Sequence, residues 1–180
     1  MTKKFDKSTL PSRYVTSSHG CEGRKTMLYN IKTDLYPNGL SEDDIQKPFV
    51  GVVTSWNEAA PCNIALQRQA QPAKAGVKEG GCTPREFTTI TVTDGIANGH
   101  QGMKSSLVSR EVIADSIELT VRGHCYDGLV GIAGCDKSLP AMMMAMCRLN
   151  IPSIFMYGGS ILPGSFQGRD VTIVDVFEAV

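Results

Sequence analysis

Two sets of side chains in this sequence could hold metal ions. The thiols of Cys62 and Cys135 are soft ligands, which select zinc, copper or an iron–sulfur cluster. The carboxylates of Asp94 and Asp136 are hard ligands, which prefer magnesium, calcium or manganese. Lys137 follows Asp136 directly and adds a charge to the same stretch. Because Cys135 and Asp136 are adjacent, one loop could carry one ligand of each kind.

Each of these residues also has an ordinary structural explanation. A lone cysteine is more often a small buried apolar residue than a ligand, and we expect this of Cys125 and Cys147, which lie on or beside predicted helices. Cys21 and Cys82 lie in irregular segments, where a structural role is favoured and a functional one stays open. The pair that begins with Asp94 and continues with glycine is, by itself, typical of a turn. The functional hypothesis therefore depends on the joint placement of these residues.

Cysteine spacing and composition exclude several kinds of protein. The six cysteines include no CxxC pair, so zinc ribbons and thioredoxin-type redox sites have no support. The glycine-rich stretch 95–102 matches neither GxGxxG nor a nucleotide-binding P-loop. With 18 Lys and Arg against 18 Asp and Glu, the chain lacks the cationic excess of nucleic-acid-binding proteins. No apolar run reaches the ~18 residues of a membrane span, and none opens the chain as a signal segment, so we expect a cytoplasmic protein.

The elements that must position these side chains alternate along the chain. Short apolar runs predict β-strands at 49–54, 87–93, 129–133 and 153–157. Helical periodicity predicts helices at 63–75, which contains Pro72, at 107–122, with Ser109 as its N-cap, and at 139–149. Apolar strands that alternate with helices are typical of an α/β fold with a mostly parallel sheet and helices on both faces.

We expect two regions in the chain. Residues 1–47 are polar and irregular and are predicted to be an N-terminal extension, with a helix at 24–31 and a capped turn near Ser41. Residues 48–180 are predicted to form the α/β domain. Its last apolar run, 171–180, begins as strand or helix and has no capping glycine behind it.

The candidate ligands all follow predicted strands. Cys62 lies in the stretch after the first strand, Asp94 follows the second, and Cys135 to Lys137 follow the third. In a parallel sheet the loops that leave the carboxyl ends of the strands meet at one edge, and ligands bind there. We therefore expect the soft and the hard ligands to lie side by side at that edge.

Four long and unusual segments carry a resemblance to a known family. They are WNEAAPCN (56–63), DGIANGHQGMKSSLVSREVIADSIE (94–118), GCDKSLPAMMMAMCRLNIPSIFMYGGSILPG (134–164) and VDVFEAV (174–180). With these segments the sequence resembles the dihydroxy-acid and sugar-acid dehydratase family over essentially all of residues 5–180.

The resemblance implies a role for each candidate ligand. Cys62 and Cys135 look like two of the three thiolate ligands of an iron–sulfur cluster, and the Pro-Cys-Asn sequence around Cys62 is similar to members that carry a [2Fe-2S] cluster. Asp94 and Asp136 look like ligands of Mg²⁺. Lys137 looks like the lysine that these enzymes carbamylate, which turns a repulsive ammonium into an anionic ligand.

The resemblance also implies a reaction. A 2,3-dihydroxy-3-methyl carboxylic acid loses water to give an enol, which becomes a 2-keto acid, as in valine and isoleucine biosynthesis. The segments GGSILPG (158–164) and VDVFEAV (174–180) favour this substrate. The alternatives are a sugar-acid dehydratase, which acts on gluconate, phosphogluconate or a pentonate, and a non-catalytic module with the same fold.

Family members are much longer than 180 residues, so some residues of their active site have no counterpart in this sequence. The resemblance implies that the third cluster cysteine, a glutamate ligand of Mg²⁺ and the serine base lie beyond Val180. We therefore expect an N-terminal part of the enzyme that lacks the C-terminal domain and is inactive alone. Expected partners are a small-molecule dihydroxy acid, the missing C-terminal domain and, for the full-length protein, a second copy in a homodimer.

Overall fold

A computed structural model describes residues 6–16 and 34–179. The strands are β1 (Phe49–Thr54), β2 (Thr83–Thr88), β3 (Gly128–Ala133), β4 (Ser153–Tyr157), β5 (Gly164–Phe166) and β6 (Arg169–Val171). The α-helices are α1 (Arg13–Thr16), α2 (Glu42–Ile45), α3 (Leu66–Glu79), α4 (Asp94–Ala97), α5 (Met103–Gly123), α6 (Ser138–Leu149) and α7 (Ile173–Glu178), and a 3₁₀ turn spans Lys7–Thr9. No helix within the described ranges is long and apolar enough to cross a membrane.

The main sheet has four parallel strands in the order β2-β1-β3-β4. The register aligns Phe49 with Thr83, Val50 with Gly128, and Leu129 with Ser153. From β1 the chain passes to β2 on one side of β1 and then to β3 on the other side. The connections that leave β1 and β3 therefore run in opposite directions along the sheet. This divergence is the switch point at which open α/β sheets bind ligands. The predicted α/β class and the parallel sheet are confirmed.

Helices cover both faces of the sheet, as predicted. Apolar residues of α3 recur at helical spacing and bury against Val52 and Ile132 on one face. The adjacent strand residue, Val53, points to the opposite face because side chains alternate along a strand. There it joins a larger core with α5 and α6, whose buried apolar members include Ile113, Ile117, Ala141, Met142 and Ala145.

The amino-terminal end of the sheet is joined to the start of the described chain through Asp127. Its buried carboxylate accepts hydrogen bonds from the backbone N–H of Ser12 and of Phe49, both at 2.7 Å. Lys7 lies over the ring of Phe49 at 4.4 Å and donates to the carbonyl of Lys47 at 2.5 Å. Residues 6–16 are therefore fastened at the end of β1 opposite to its exit loop.

The second strand corrects the sequence prediction of 87–93. It spans Thr83–Thr88 instead, because it pairs in register with the six residues of β1 and loses its partner when β1 ends. The last backbone bond along this pair is donated by Thr89 to Thr54, at 2.9 Å. The early part contains Pro84, Arg85 and Glu86, a polar pattern that the hydrophobic periodicity did not detect, and an edge strand tolerates such a proline.

The predicted helices exist with shifted bounds. The first begins at Leu66 and includes Pro72, and the long helix begins at Met103. Ser109 as an N-cap is wrong, since Ser109 lies buried inside α5 and its hydroxyl donates to the carbonyl of Ser106 at 2.5 Å. The capped turn near Ser41 is confirmed as a capping box with Asp44.

At the carboxyl end, the apolar run 171–180 contains the end of β6 and helix α7, and it is preceded by an unpredicted β5–β6 hairpin. The helix predicted at 24–31 lies outside the described residues.

Candidate active site

Loops from three strands carry the candidate ligands to the carboxyl edge of the sheet. Cys62 lies between β1 and α3, Asp94 opens α4 after β2, and Cys135, Asp136 and Lys137 fill the turn between β3 and α6. Because β1 and β3 are neighbours, the Cys62 loop and the Cys135 loop lie on the two sides of the switch point. The predicted convergence of these loops is present.

Close backbone packing holds the two cysteine loops together. Gly134 lies against the Cys62 carbonyl, so a side chain at Gly134 would overlap that oxygen and the side-chain oxygen of Asn63. Asn63 is fully buried, and its amide donates to the carbonyl of Ser55 at 2.6 Å, which closes the first loop. Cys135 then adopts a left-handed conformation, with φ 72°, which residues other than glycine rarely adopt.

The thiols of Cys62 and Cys135 interact. Burial, together with repulsion from the neighbouring Cys135 sulfur and a hydrogen bond with it, raises the pKa of Cys62 to about 11. Both cysteines are free thiols and are partly buried. The arrangement brings two soft donors together across the switch point.

The candidate hard ligands, Asp94 and Asp136, surround the ammonium group of Lys137. The ammonium of Lys137 donates to Asp94 Oδ2 at 2.7 Å and also to Asp136 Oδ2. The side chain of Lys137 is only 12% exposed, so the two carboxylates are its main polar environment. Asp94, which lies 43 residues before Lys137, thus forms one cluster with the adjacent pair Asp136 and Lys137.

The charges in this cluster shift one another. Burial alone would raise the pKa of Asp94, but hydrogen bonds from Lys137 and Ser106 outweigh it and lower the pKa below its ordinary value. Hydrogen bonds to Asp136 and Asp94 raise the pKa of Lys137. The site therefore holds the positive charge of Lys137 between two carboxylates.

Two helices begin at this edge and add to its electrostatics. Helix α6 starts at Ser138, directly after Lys137, and α5 starts at Met103. The N-terminal end of a helix carries partial positive charge and unpaired N–H groups, which favour thiolates, carboxylates and anionic ligands nearby. Ser106 on α5 also donates a hydrogen bond to Asp94 Oδ1, a contact that the sequence pattern gave no reason to expect.

The remaining cysteines and histidines lie elsewhere. The prediction that Cys147 is buried is wrong, because it lies on the outward side of α6 and is exposed. Cys82 and Cys125 are partly buried near the amino ends of β2 and β3, and Cys21 lies outside the described residues. His100 and His124 are exposed and hydrogen-bond to nearby backbone, as expected of surface histidines.

Within residues 6–16 and 34–179, no group of three or more Cys, His, Asp or Glu side chains is arranged to hold a metal ion. The soft pair and the hard pair therefore each supply two donors of those types. A complete coordination shell at either position needs ligands of another type or from elsewhere.

Comparison with known proteins identifies the family. The family described as dihydroxy-acid/6-phosphogluconate dehydratase N-terminal matches residues 47–180. The chain belongs to this family. It is 70% identical over 178 residues to a dihydroxy-acid dehydratase of Parvibaculum lavamentivorans and 67% identical over 177 residues to one of Pelagibacter ubique. A dihydroxy-acid dehydratase of Metallosphaera sedula is 61% identical over 142 residues.

Coverage in these comparisons is unequal. The alignments span 99%, 98% and 79% of this chain but only 30%, 30% and 26% of the respective relatives. The chain thus spans about a third of the length of the curated dehydratases it matches, and it corresponds to their N-terminal part. The sequence-based family prediction is confirmed.

Proposed function

We propose that this chain forms the N-terminal, metal-binding part of an iron–sulfur and magnesium-dependent dihydroxy-acid dehydratase, a hydro-lyase. The observation that carries the proposal is the placement of a thiol pair beside a carboxylate–lysine cluster at the switch point of the sheet. The names of the relatives support a dihydroxy acid over a sugar acid as substrate. The substrate would be a 2,3-dihydroxy-3-methyl carboxylic acid and the product a 2-keto acid.

The thiol pair fits part of an iron–sulfur site. Cys62 and Cys135 would be two ligands of a [2Fe-2S] cluster, which is held by thiolates in proteins. Cluster binding would replace the protons of both thiols, and the iron would offset the burial and the Cys135 repulsion that raise the pKa of Cys62. The left-handed conformation of Cys135 supports a functional role, because a glycine would fit that turn with less strain. A further thiolate would come from outside these 180 residues.

The carboxylate cluster fits a magnesium site. Asp94 and Asp136 already stabilise one positive charge, the Lys137 ammonium. The same two carboxylates would therefore stabilise a metal cation. The Lys137 ammonium would lose a proton, and the neutral amine would add CO₂ and release a second proton to give a carbamate. The carbamate would be a third anionic oxygen donor, and Mg²⁺ prefers such oxygen ligands. This accounts for a largely buried lysine between two acids.

Each part of the site has a task in the proposed reaction. When bound, the two cofactors supply Lewis acidity for the departing 3-hydroxyl and charge stabilisation for the carboxylate and the enolate-like intermediate. The N-terminal ends of α5 and α6 favour an anionic substrate at the same edge. Gly134 and Asn63 fix the distance between the cysteine loops, so that the substrate would meet both sites in one orientation.

The other sequence-based expectations stay proposals. The base that removes the proton from carbon 2 is expected to be a serine beyond Val180, so we propose that the chain alone does not turn over substrate. The full-length protein is proposed to be a cytoplasmic homodimer. Exposed apolar side chains of α7 and the preceding segment, Leu162, Phe166, Val174 and Phe177, offer a surface for the rest of the enzyme.

Anaerobic iron–sulfur reconstitution tests the proposal. We expect the chain to bind iron and sulfide with the visible absorption of a [2Fe-2S] cluster, and we expect Cys62→Ser and Cys135→Ser to abolish it. Cys147→Ser is the matched control, because this exposed cysteine lies away from the switch point. Equal iron content in all three variants would contradict the assignment.

Turnover provides a second test of the proposed division of labour. The chain alone should not dehydrate 2,3-dihydroxyisovalerate, whereas a longer protein that includes the C-terminal domain should. Turnover by the 180-residue chain would show that the catalytic base lies within it.

A further inference from the structure

Ser106 connects helix α5 to the carboxylate cluster. It is fully buried, and its hydroxyl donates a hydrogen bond to Asp94 Oδ1. The other oxygen of the same carboxylate, Oδ2, accepts from Lys137 at 2.7 Å. The two oxygens of Asp94 therefore have different partners: Oδ1 faces the helix, and Oδ2 faces the cation.

The surroundings of Ser106 hold the Asp94 carboxylate in this orientation. Ser106 lies in the first turn of a 21-residue helix, and its carbonyl accepts a hydrogen bond from the buried hydroxyl of Ser109 at 2.5 Å. Turning the Asp94 carboxylate so that both oxygens faced one metal ion would break the bond to Ser106. A buried hydroxyl without a partner is unfavourable, so the structure resists that rotation.

We propose that Ser106 is a positioning residue that restricts Asp94 to ligation through Oδ2 and thereby favours Mg²⁺ over Ca²⁺. The inference rests on the proposed function, because it takes Asp94 as a magnesium ligand. Mg²⁺ demands near-ideal octahedral geometry with a few protein oxygens, whereas Ca²⁺ accepts bidentate carboxylates and irregular shells. A carboxylate held at one oxygen suits the first ion and hinders the second.

Calorimetric titration of a longer protein that includes the C-terminal domain, with Mg²⁺ and with Ca²⁺, tests this selectivity. Ser106→Ala should weaken Mg²⁺ binding by about 10-fold, the lower end of the usual effect of losing a partner that orients a metal ligand. Ca²⁺ binding should weaken less or strengthen, so the ratio of the two affinities shifts. Ser105→Ala is the matched control, because the neighbouring Ser105 is exposed, and it should leave both affinities unchanged.

A conservative variant separates positioning from packing. Ser106→Thr keeps the hydroxyl and should retain the Mg²⁺ preference that Ser106→Ala loses. Unchanged affinities in Ser106→Ala, or an equal loss for both cations, would overturn the proposal. If the longer wild-type protein bound neither cation, the magnesium site itself would be contradicted, and the selectivity proposal would fall with it.

Metal-free crystal structures of the wild type and Ser106→Ala give a readout that needs no cation. The proposal expects the Asp94 carboxylate to rotate in the variant. An unmoved carboxylate would show that Ser106 does not position it.

Discussion

Gly134 lies directly against the carbonyl oxygen of Cys62, where the loop after β1 crosses the end of β3. A methyl group at this position would overlap backbone that cannot move without separating the two cysteine loops. We expect Gly134→Ala to lower the free energy of unfolding by about 1–3 kcal/mol, the usual cost of overpacking. It should also reduce the iron bound on reconstitution, which a urea titration and an iron assay would measure together.

The matched control is Gly76→Ala in α3. Apart from the neighbouring residues and the backbone of its own helix, no atom lies within 4 Å of a methyl group at Gly76, and alanine favours the helix interior over glycine. This variant should raise the free energy of unfolding by about 0.5–1 kcal/mol and leave iron binding unchanged. If both glycine variants behaved alike, contact with the Cys62 loop would not explain the effect.

The raised pKa of Cys62 predicts a loss of stability in alkali. The folded chain retains the thiol proton up to about pH 11, whereas the unfolded chain releases it near the ordinary thiol value of 9.0. Between these values the folded state binds more protons, so its contribution to stability is complete below pH 9 and declines as the pH rises toward 11. Urea unfolding of the metal-free chain at pH 8 and pH 10.5 would measure the decline.

Two variants assign that decline to its source. Cys62→Ala should lose less stability than the wild type between the two pH values, because the titrating thiol is gone. Cys147→Ala removes an exposed thiol and should keep the wild-type dependence. Identical pH dependence in Cys62→Ala and the wild type would contradict the prediction.

We expect a substitution of Asp127 to destabilise the amino-terminal end of the sheet. In Asp127→Asn only one oxygen can still accept a hydrogen bond, so the N–H of either Ser12 or Phe49 remains buried without a partner. We expect a loss of about 1–3 kcal/mol in the free energy of unfolding. Cleavage near residues 6–16 in limited proteolysis should also be faster. Asp170→Asn, in the exposed hairpin, should change neither measurement.

We expect the replacement of Pro72 to stabilise the folded chain. It lies in the interior of α3, is exposed, and has no N–H to donate to the carbonyl of Arg68 one turn earlier. Pro72→Ala should therefore raise the free energy of unfolding by about 1–3 kcal/mol. Thermal and urea unfolding would measure the gain. The free energy of unfolding of Gln71→Ala, at the exposed neighbouring position, should stay within about 0.5 kcal/mol of the wild type. If Pro72→Ala were destabilised instead, the proline would fit a required bend in the helix.

Local pattern was sufficient to predict the strands whose residues are apolar and whose neighbours cover both faces, such as β1 and β3. It failed for β2, because its bounds depend on the length of its partner β1 and not on its own polar residues. The convergence of Cys62 and Cys135 could be predicted because both follow strands of one parallel sheet.

Contacts between distant segments could not be predicted from local sequence patterns. The bond from Ser106 to Asp94 depends on how α5 is rotated, and the bonds that Asp127 accepts depend on where residues 6–16 lie. Neither is encoded in a periodic pattern. The roles of the five candidate ligands were likewise implied by family resemblance and not by any pattern in the sequence.

The six residues of β1 separate two tasks. Its first residue, Phe49, is bound to Asp127, and its last, about 17 Å away at the usual rise per strand residue, leads into the loop of Cys62. Substitutions that far apart usually have additive effects. Mutations that weaken the N-terminal attachment should therefore show no epistasis with mutations in the loops of Cys62 and Cys135, and the two ends can diverge independently during evolution.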